Sequence, residues 1–431
     1  MEERPVLRDI AWSELAPWLL LVGVARLASD PRKLLLAAVA LALTVYGWAL
    51  LAAVFSSDVE PASVLGLPPT ASQLVTKENA AAADPYSTMW WGIHPLISPW
   101  EQLARPLRST FAWDLSWPNL GLAASAAVWA GLVWAVFGGA LSRIAALQLT
   151  REERLSIAGA LRFSLARVHS YFGGPLLPLS GVALAVVLVA LVPGLVLRAG
   201  DAGLIFFGLL LPILLIIVGL SVAVFLVGLL FGWPLMWATI SVEGSDAFDA
   251  VSRSFSYTFQ RPLHYFAYAA VAFVLGYAAW IIAVLFATLV VYATLWSASW
   301  GSGAERVSEV LAWSQTGAHA PFLPGLWPPE ATEVNELTPA GQTGVLLVRL
   351  SLAGVKLLLL GFAYSYFWTA STAVYLLLRQ ATDATELDEV FLEEPQQPAA
   401  LPPLVQDDAG VAVLEPTSEQ SGEEDAGEPS K

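Results

Sequence analysis

Residues 204–240 read LIFFGLLLPILLIIVGLSVAVFLVGLLFGWPLMWATI, without a single Asp, Glu, Lys or Arg. A helix of about 20 apolar residues crosses the hydrocarbon core of a bilayer. Backbone placed there must satisfy its own hydrogen bonds, which leaves helices and closed barrels. An unbroken run of this length has no polar-in, apolar-out alternation, so it reads as helix. It is too long for one upright span, so it tilts, projects or breaks; Pro212 and Gly219 are the candidate break points. Two shorter segments are the alternative, although no charged turn separates them.

Five further apolar stretches lie around it: Leu34–Phe55, Leu120–Ala145, Leu176–Leu197, Leu263–Trp296 and Val345–Leu378. The expected fold is therefore all-α, a polytopic transmembrane bundle of about six spans with cytoplasmic interfacial amphipathic helices. Composition agrees. Hydrophobic residues make up 57% and charged residues 13%, against about 25% charged in ordinary globular chains. Cysteine is absent, which excludes a disulfide framework, a zinc–thiolate site and a thiol nucleophile.

The formal charge of −15 is concentrated at one end. Residues 383–431 hold 14 of the 36 acidic residues and one of the 21 basic ones. That segment is also rich in Pro, Ser and Gln, a composition that buries too little apolar surface to offset the entropy of ordering. It is expected to be a disordered acidic cytoplasmic tail, either solubilising or a docking arm for a basic partner.

Orientation follows from Lys and Arg. With the N-terminus inside and six alternating spans, 14 of the 21 basic residues fall inside and five outside, with two in the last apolar stretch. Both termini are then cytoplasmic. Glu2, Glu3, Asp9 and Glu14 precede the first span without a basic n-region, so that span reads as a retained signal anchor. The resulting divisions are an N-terminal segment with an interfacial helix (1–33), the membrane domain (34–382) and the tail (383–431). Outside loops cover about 56–119 and 297–342. Their Trp90, Trp91, Trp100, Trp113, Trp117, Trp300, Trp313 and Trp327 suit the headgroup layer.

Two spans are introduced by amphipathic segments of one plan, about 150–172 and 245–261. The first opens on a capping box, Thr150-Arg-Glu-Glu153. Leu155, Ala158, Leu161, Leu165, Val168 and Phe172 form its apolar stripe, and Gly173-Gly174-Pro175 is expected to end it. The second opens on Ser245 as N-cap, with Asp246 and Asp249 at the positive end of the dipole. Phe248, Val251, Phe255 and Phe259 form its stripe, Asp249 and Arg253 an i,i+4 pair, and Arg261-Pro262 its end. Aligning Ala160 with Ala250 also aligns Ser164 with Ser254. A fainter version, residues 12–28 before Asp30-Pro31, opens the chain, which suggests three units near 12–146, 150–241 and 244–382. Arg154, Arg162, Arg167, Arg253 and Arg261 on these helices are candidate contacts to an anionic leaflet.

The stretch Val242-Glu-Gly-Ser-Asp-Ala-Phe-Asp-Ala-Val-Ser-Arg-Ser254 resembles the span–acidic cap–Ala-rich helix–Ser–span pattern of uncharacterised bacterial polytopic proteins. It is also similar to the membrane domain attached to some glycerophosphodiester phosphodiesterases. The resemblance covers about residues 200–300 and implies a helical membrane bundle. It carries over no catalytic residue, since the soluble phosphodiesterase domain is missing.

Arg349 and Lys356 are the sharpest anomaly. A cation within a span costs about 2.5–3.5 kcal/mol on insertion scales. Seven residues apart, they share a helix face with Tyr364, Ser371 and Tyr375. Either the helix projects and the cations snorkel, or the face contacts an anion, a lipid headgroup or another subunit. No HExxH, Walker, GxSxG or paired-carboxylate signature is present, so no catalytic, cofactor-binding or metal residue is expected. The reading is a non-enzymatic protein of the cell inner membrane acting as a scaffold, assembly partner or lipid-associated factor. Its expected partners are membrane lipids and a protein docked on the tail or cytoplasmic helices, with no nucleic acid. The alternative is a transporter or lipid-translocating protein using the last span.

Overall fold

The computed structural model describes residues 17–55, 94–110, 117–314, 338–392, 405–406 and 412–413. Trp90, Trp91, Trp113 and Trp327 lie outside the described residues. So do most of the first outside loop, half of the second and most of the tail expected to be disordered. The chain divides into Met1–Val390 and Phe391–Lys431. In the second unit, β1 (Val405–Gln406) pairs antiparallel with β2 (Ala412–Val413), placing Val405 opposite Val413.

The first unit is helical. Its elements are α1 (Leu20–Ala28), α2 (Pro31–Phe55), α3 (His94–Ser109), α4 (Trp117–Thr150), α5 (Ile157–Ala166), α6 (Val168–Gly194), α7 (Gly200–Glu243), α8 (Ala247–Gln260), α9 (Pro262–Ser302), α10 (Ala304–Ser314) and α11 (Pro339–Asp383). Six of them, α2, α4, α6, α7, α9 and α11, are long and apolar enough to cross a membrane. The protein is therefore a polytopic helical bundle.

The 204–240 run lies within one helical course, α7. Between Pro212 and Gly219 the ladder loosens into a π-helical turn, Leu214–Gly219, and α6 does the same at Ala190–Gly194 around Pro193. Wider turns absorb the hydrogen bond that proline removes without breaking the rod.

The short helices α1, α5 and α8 each precede a span across a sharp elbow. Asp30 accepts the Arg32 amide at 3.0 Å before Pro31 starts α2. Arg167 leaves helical geometry between α5 and α6. Arg261 does so before Pro262 starts α9. Each short helix folds back on a second span: α5 on α4, α8 on α7, and α1 on α11, the last span closing the circle. Those three second spans, α4, α7 and α11, also pack on one another, with α2, α6 and α9 around them.

The sequence placed the starts of these helices slightly wrong. Thr150 does not cap α5; its hydroxyl donates back to the Ala146 carbonyl at 2.8 Å, so α4 runs to its own last turn. The chain turns through Glu152 at φ 54, and Ser156 accepts the Gly159 amide as N-cap. Asp246 caps α8, accepting the Asp249 amide at 2.9 Å, so Ser245 is not its cap. Asp249 is not the partner of Arg253, which pairs with Glu243 instead.

The docking faces also differ from the expected stripes. Ala160, Phe163 and Ser164 are buried on α5, while Leu165 is exposed. On α8, Ala250, Ser254, Tyr257 and Thr258 are buried, whereas Phe248 and Phe259 are exposed. Close approach favours the small residues: Ser254 Oγ donates to the Gly232 carbonyl at 2.6 Å, and the Phe255 ring lies where a Cβ on Gly228 would be, 2.5 Å away. The aligned pairs Ala160/Ser164 and Ala250/Ser254 are fully buried in both helices.

Gly173-Gly174-Pro175 does not end a helix; α6 continues through it. Pro175 has no N–H for the Tyr171 carbonyl four residues back. The Trp237 indole supplies the donor at 2.7 Å. The same substitution recurs at Pro234, where the Trp100 indole of α3 donates to the Leu230 carbonyl at 3.2 Å. The body's centre is aromatic. Trp237 stacks on Trp368 with ring centroids 4.6 Å apart, and Trp134 stacks on Tyr364 at 4.8 Å. Each second span thus sends a tryptophan to the junction, and Gly138 leaves room for two of them.

Packing stops partway along α7. No residue of α7 between Leu204 and Val227 is buried, although α7 from Gly228 to Val242 is mostly buried. In this helix the packed part adjoins the α8 elbow, and the rest is bare apolar helix.

Replacing Trp237 by Phe is expected to destabilise the body by more than its lost packing, since a buried unpaired carbonyl costs about 1–3 kcal/mol. Adding Pro175→Ala, which restores an amide donor, recovers part of the loss. Thermal unfolding of the two variants in detergent checks this; no recovery would mean that the indole acts through packing alone.

Candidate functional site

Among the described residues, the densest polar constellation lies at the elbow end, where α7 stops and α8 and α11 meet. Gly244 at φ 66 terminates α7, which leaves Glu243 on its last turn. Glu243 Oε1 accepts from Arg253 Nη1 at 2.9 Å and from the Tyr375 hydroxyl at 2.6 Å. Arg379 Nε lies 3.3 Å from the same oxygen. Arg379 reaches onward, donating to the Glu389 carbonyl at 2.6 Å. Asp383 accepts from the Tyr257 hydroxyl and lies 4.0 Å from Arg253. Burial, then the hydrogen bond to Asp383, pushes the Tyr257 phenol above its usual range, so it remains a neutral donor.

Glu243 and Arg379 are each nearly nine-tenths buried at the side chain, whereas Arg253 is 46% exposed. One carboxylate with three donors from two other elements is a clamp: it fixes the ends of α7, α8 and α11 and folds the segment after Ala384 back on α11. Ala384 itself turns with φ 53.

A second station joins α1, α2 and α11. Lys33 is fully buried, and its Nζ donates to Thr369 Oγ1 at 3.1 Å. Ser365 Oγ donates to the Ala28 carbonyl at 2.7 Å, and Asp30 accepts from Gln148 at 2.8 Å. A third joins α4, α5, α6 and α7. Arg143 Nη1 donates to the Ser241 carbonyl at 2.8 Å, a cation at a helix C-terminus. Its guanidinium lies 4.2 Å from the Phe163 ring centroid.

The residues expected on one polar face of α11 are divided among these environments. Tyr364 is buried against Trp134 and donates to Gln102 of α3 at 2.5 Å. Ser371 is half-buried and bonds its own helix at the Phe367 carbonyl. Tyr375 belongs to the Glu243 clamp. Lys356 is half-buried, well before the clamp along α11, and the Arg349 side chain lies outside the described residues. Of the five interfacial arginines, Arg154, Arg162, Arg253 and Arg261 are exposed, and Arg167 is half-buried beside Phe163. Sequence reasoning missed Glu243, Tyr257, Arg379, Asp383 and Lys33 as a set. Lys33 and Arg379 flank apolar runs and were read for orientation alone, Glu243 only within the resemblance stretch and Asp383 only as the start of the tail.

No protein-family model, curated protein or solved structure matches the chain. Its class is thus defined by the fold, a multi-pass helical membrane protein with, among the described residues, six apolar helices long enough to span.

Glu243→Gln is expected to destabilise the protein by about 2–3 kcal/mol, because it removes the buried carboxylate charge that Arg379 and Arg253 share and leaves Arg379 only Glu389. Arg253→Met, at a largely exposed position, should cost no more than about 1 kcal/mol. Equal losses in detergent unfolding would show that Arg379 does not depend on Glu243.

Proposed function

We propose that this is a non-enzymatic scaffold of a bacterial inner membrane, with both termini and the elbow end at the cytoplasmic face. The observation that carries this reading is the use made of the buried polar groups. Glu243, Arg379, Tyr375, Lys33 and Arg143 tie helix ends to one another, which gives a rigid platform rather than an adaptable cavity. On that platform the exposed side chains interleave apolar and basic types: Leu165 with Arg162, and Phe248, Phe259 and Leu263 with Arg261. Such a face suits the surface of an anionic leaflet. The excess of Lys and Arg at this end supports the cytoplasmic orientation. The acidic composition of residues 393–431 supports a docking arm for a basic partner.

The test is a mild-detergent pull-down of the tagged full-length protein after cross-linking in membranes, followed by mass spectrometry. A stoichiometric partner is expected, and it should disappear when residues 393–431 are deleted. Finding no partner, together with loss of a bound lipid in the Arg349→Leu/Lys356→Leu variant, would replace this reading with lipid translocation along α11.

A further inference from the structure

The last span ends where its own sequence favours more helix. α7 and α9 stop on glycines at positive φ, Gly244 at 66 and Gly303 at 84, where the missing Cβ leaves the turn unstrained. α11 stops on Ala384 at φ 53, a conformation uncommon for a residue with a Cβ. Alanine is also the best helix former. No glycine or proline stands between Gly361 and Pro395, and Ala384, Leu387, Val390 and Phe391 recur at helical spacing. Local sequence thus continues α11 past Asp383, while the structure turns the chain back there.

The returning strap, residues 384–390, is held by few contacts. Leu387 and Val390 are partly buried against the apolar cluster that includes Val242, Tyr257 and Leu378. Arg379 Nη1 donates to the Glu389 carbonyl at 2.6 Å, and its Nη2 lies 3.7 Å from the Glu389 carboxylate. The Nε of the same guanidinium lies 3.3 Å from Glu243, so one side chain joins the strap to the clamp. Glu386, Asp388 and Glu389 are exposed. In a straight helix Asp383, Glu386 and Glu389 would stand one turn apart, and like charges so placed weaken a helix. Each arrangement therefore carries a penalty: a left-handed alanine in the strap, a column of acids in the rod.

We propose that residues 384–390 form a two-state strap hinged at Ala384. In the docked state, the one described above, Arg379 is shared between Glu389 and Glu243. In the other, α11 runs on as helix through Val390, Leu387 and Val390 leave the cluster, and Arg379 belongs to Glu243 alone. A strained hinge and sparse buried contacts place the strap at the low-stability end of the fold, where moving elements are found. The strap leads into residues 393–431, so a partner bound there selects between two states of the clamp. That use rests on the docking role proposed above; the two states themselves do not.

The chain has no cysteine, so two introduced ones are the only sites for nitroxide labels. In full-length Ser252→Cys/Asp388→Cys protein in nanodiscs, with both positions exposed, pulsed electron paramagnetic resonance reads the distance from α8 to the strap. One distance is expected to dominate. Leu387→Gln/Val390→Gln removes the buried contacts and keeps good helix formers. It is expected to add a second, discrete distance, since a straight α11 carries residue 388 about 8 Å past Asp383. Adding Ala384→Gly to that variant should shrink the second population by roughly 30-fold relative to the first, because glycine relieves the left-handed turn and weakens the helix. A broad distribution in the Gln variant would show an unstructured released strap and overturn the helical state. An unchanged single distance there would make the strap a fixed cap, and a second population indifferent to Ala384→Gly would remove the hinge; either result overturns the proposal. None of these readouts uses a partner, so the docking role fails or survives separately.

Discussion

Carbonyl oxygens that have lost their helical donor constrain the rest of this structure. Proline at positions 175 and 234 removes two ladder bonds in a body with little water to replace them. Trp237 and Trp100 supply donors from neighbouring helices, so the vacancies in one helix become attachment points for another. The device extends beyond proline. Trp48 and Trp129 each donate to a carbonyl on the opposite helix of the α2–α4 hairpin, at 3.0 Å. Tyr366 donates to Ala272 at 2.6 Å and Tyr265 to Phe231 at 2.9 Å. Between apolar helices in lipid the hydrophobic effect contributes little to association, so packing and such directed bonds decide which faces meet.

These bonds explain why the core is aromatic. Tryptophan brings a large apolar area together with one N–H that can reach across an interface. Glycine is its complement. The Trp129 ring reaches Leu43 through the space beside Gly47, and Trp237 and Trp368 enter beside Gly138. The elbows use the smaller pair of serine and glycine for the same purpose at Ser254 and Gly232.

The amino-acid sequence disclosed the class and the plan. Length and hydropathy place six spans, and the Asp30-Pro31 and Arg261-Pro262 breaks mark two elbows where they occur. The Ala160/Ala250 and Ser164/Ser254 alignment identifies the docking faces even though the expected stripes lay elsewhere. What was illegible depends on distant partners. Gly173-Gly174-Pro175 looks like a helix end unless Trp237, some sixty residues on, is known to repair it. Thr150 looks like a cap unless α4 is known to run through it. The Glu243 clamp joins residues from three elements, and no spacing rule connects Glu243 to Arg379. Tyr364 and Tyr375 share a helix side by periodicity, yet one turns to α3 and the other to α7.

The bare part of α7 has a consequence for how this sequence can vary. From Leu204 to Val227 its side chains touch little besides the medium around them. Each position then asks only for an apolar residue, and many substitutions satisfy that demand equally. The body tolerates far less, because Gly138, Trp237, Pro175 and Ser254 each answer to a particular neighbour. Over time the long apolar run should drift into unrecognisable wording while the elbow and junction residues hold. Kinship with other chains would then be written in a scatter of tryptophans, glycines and serines rather than in the stretch that most plainly announces a membrane protein.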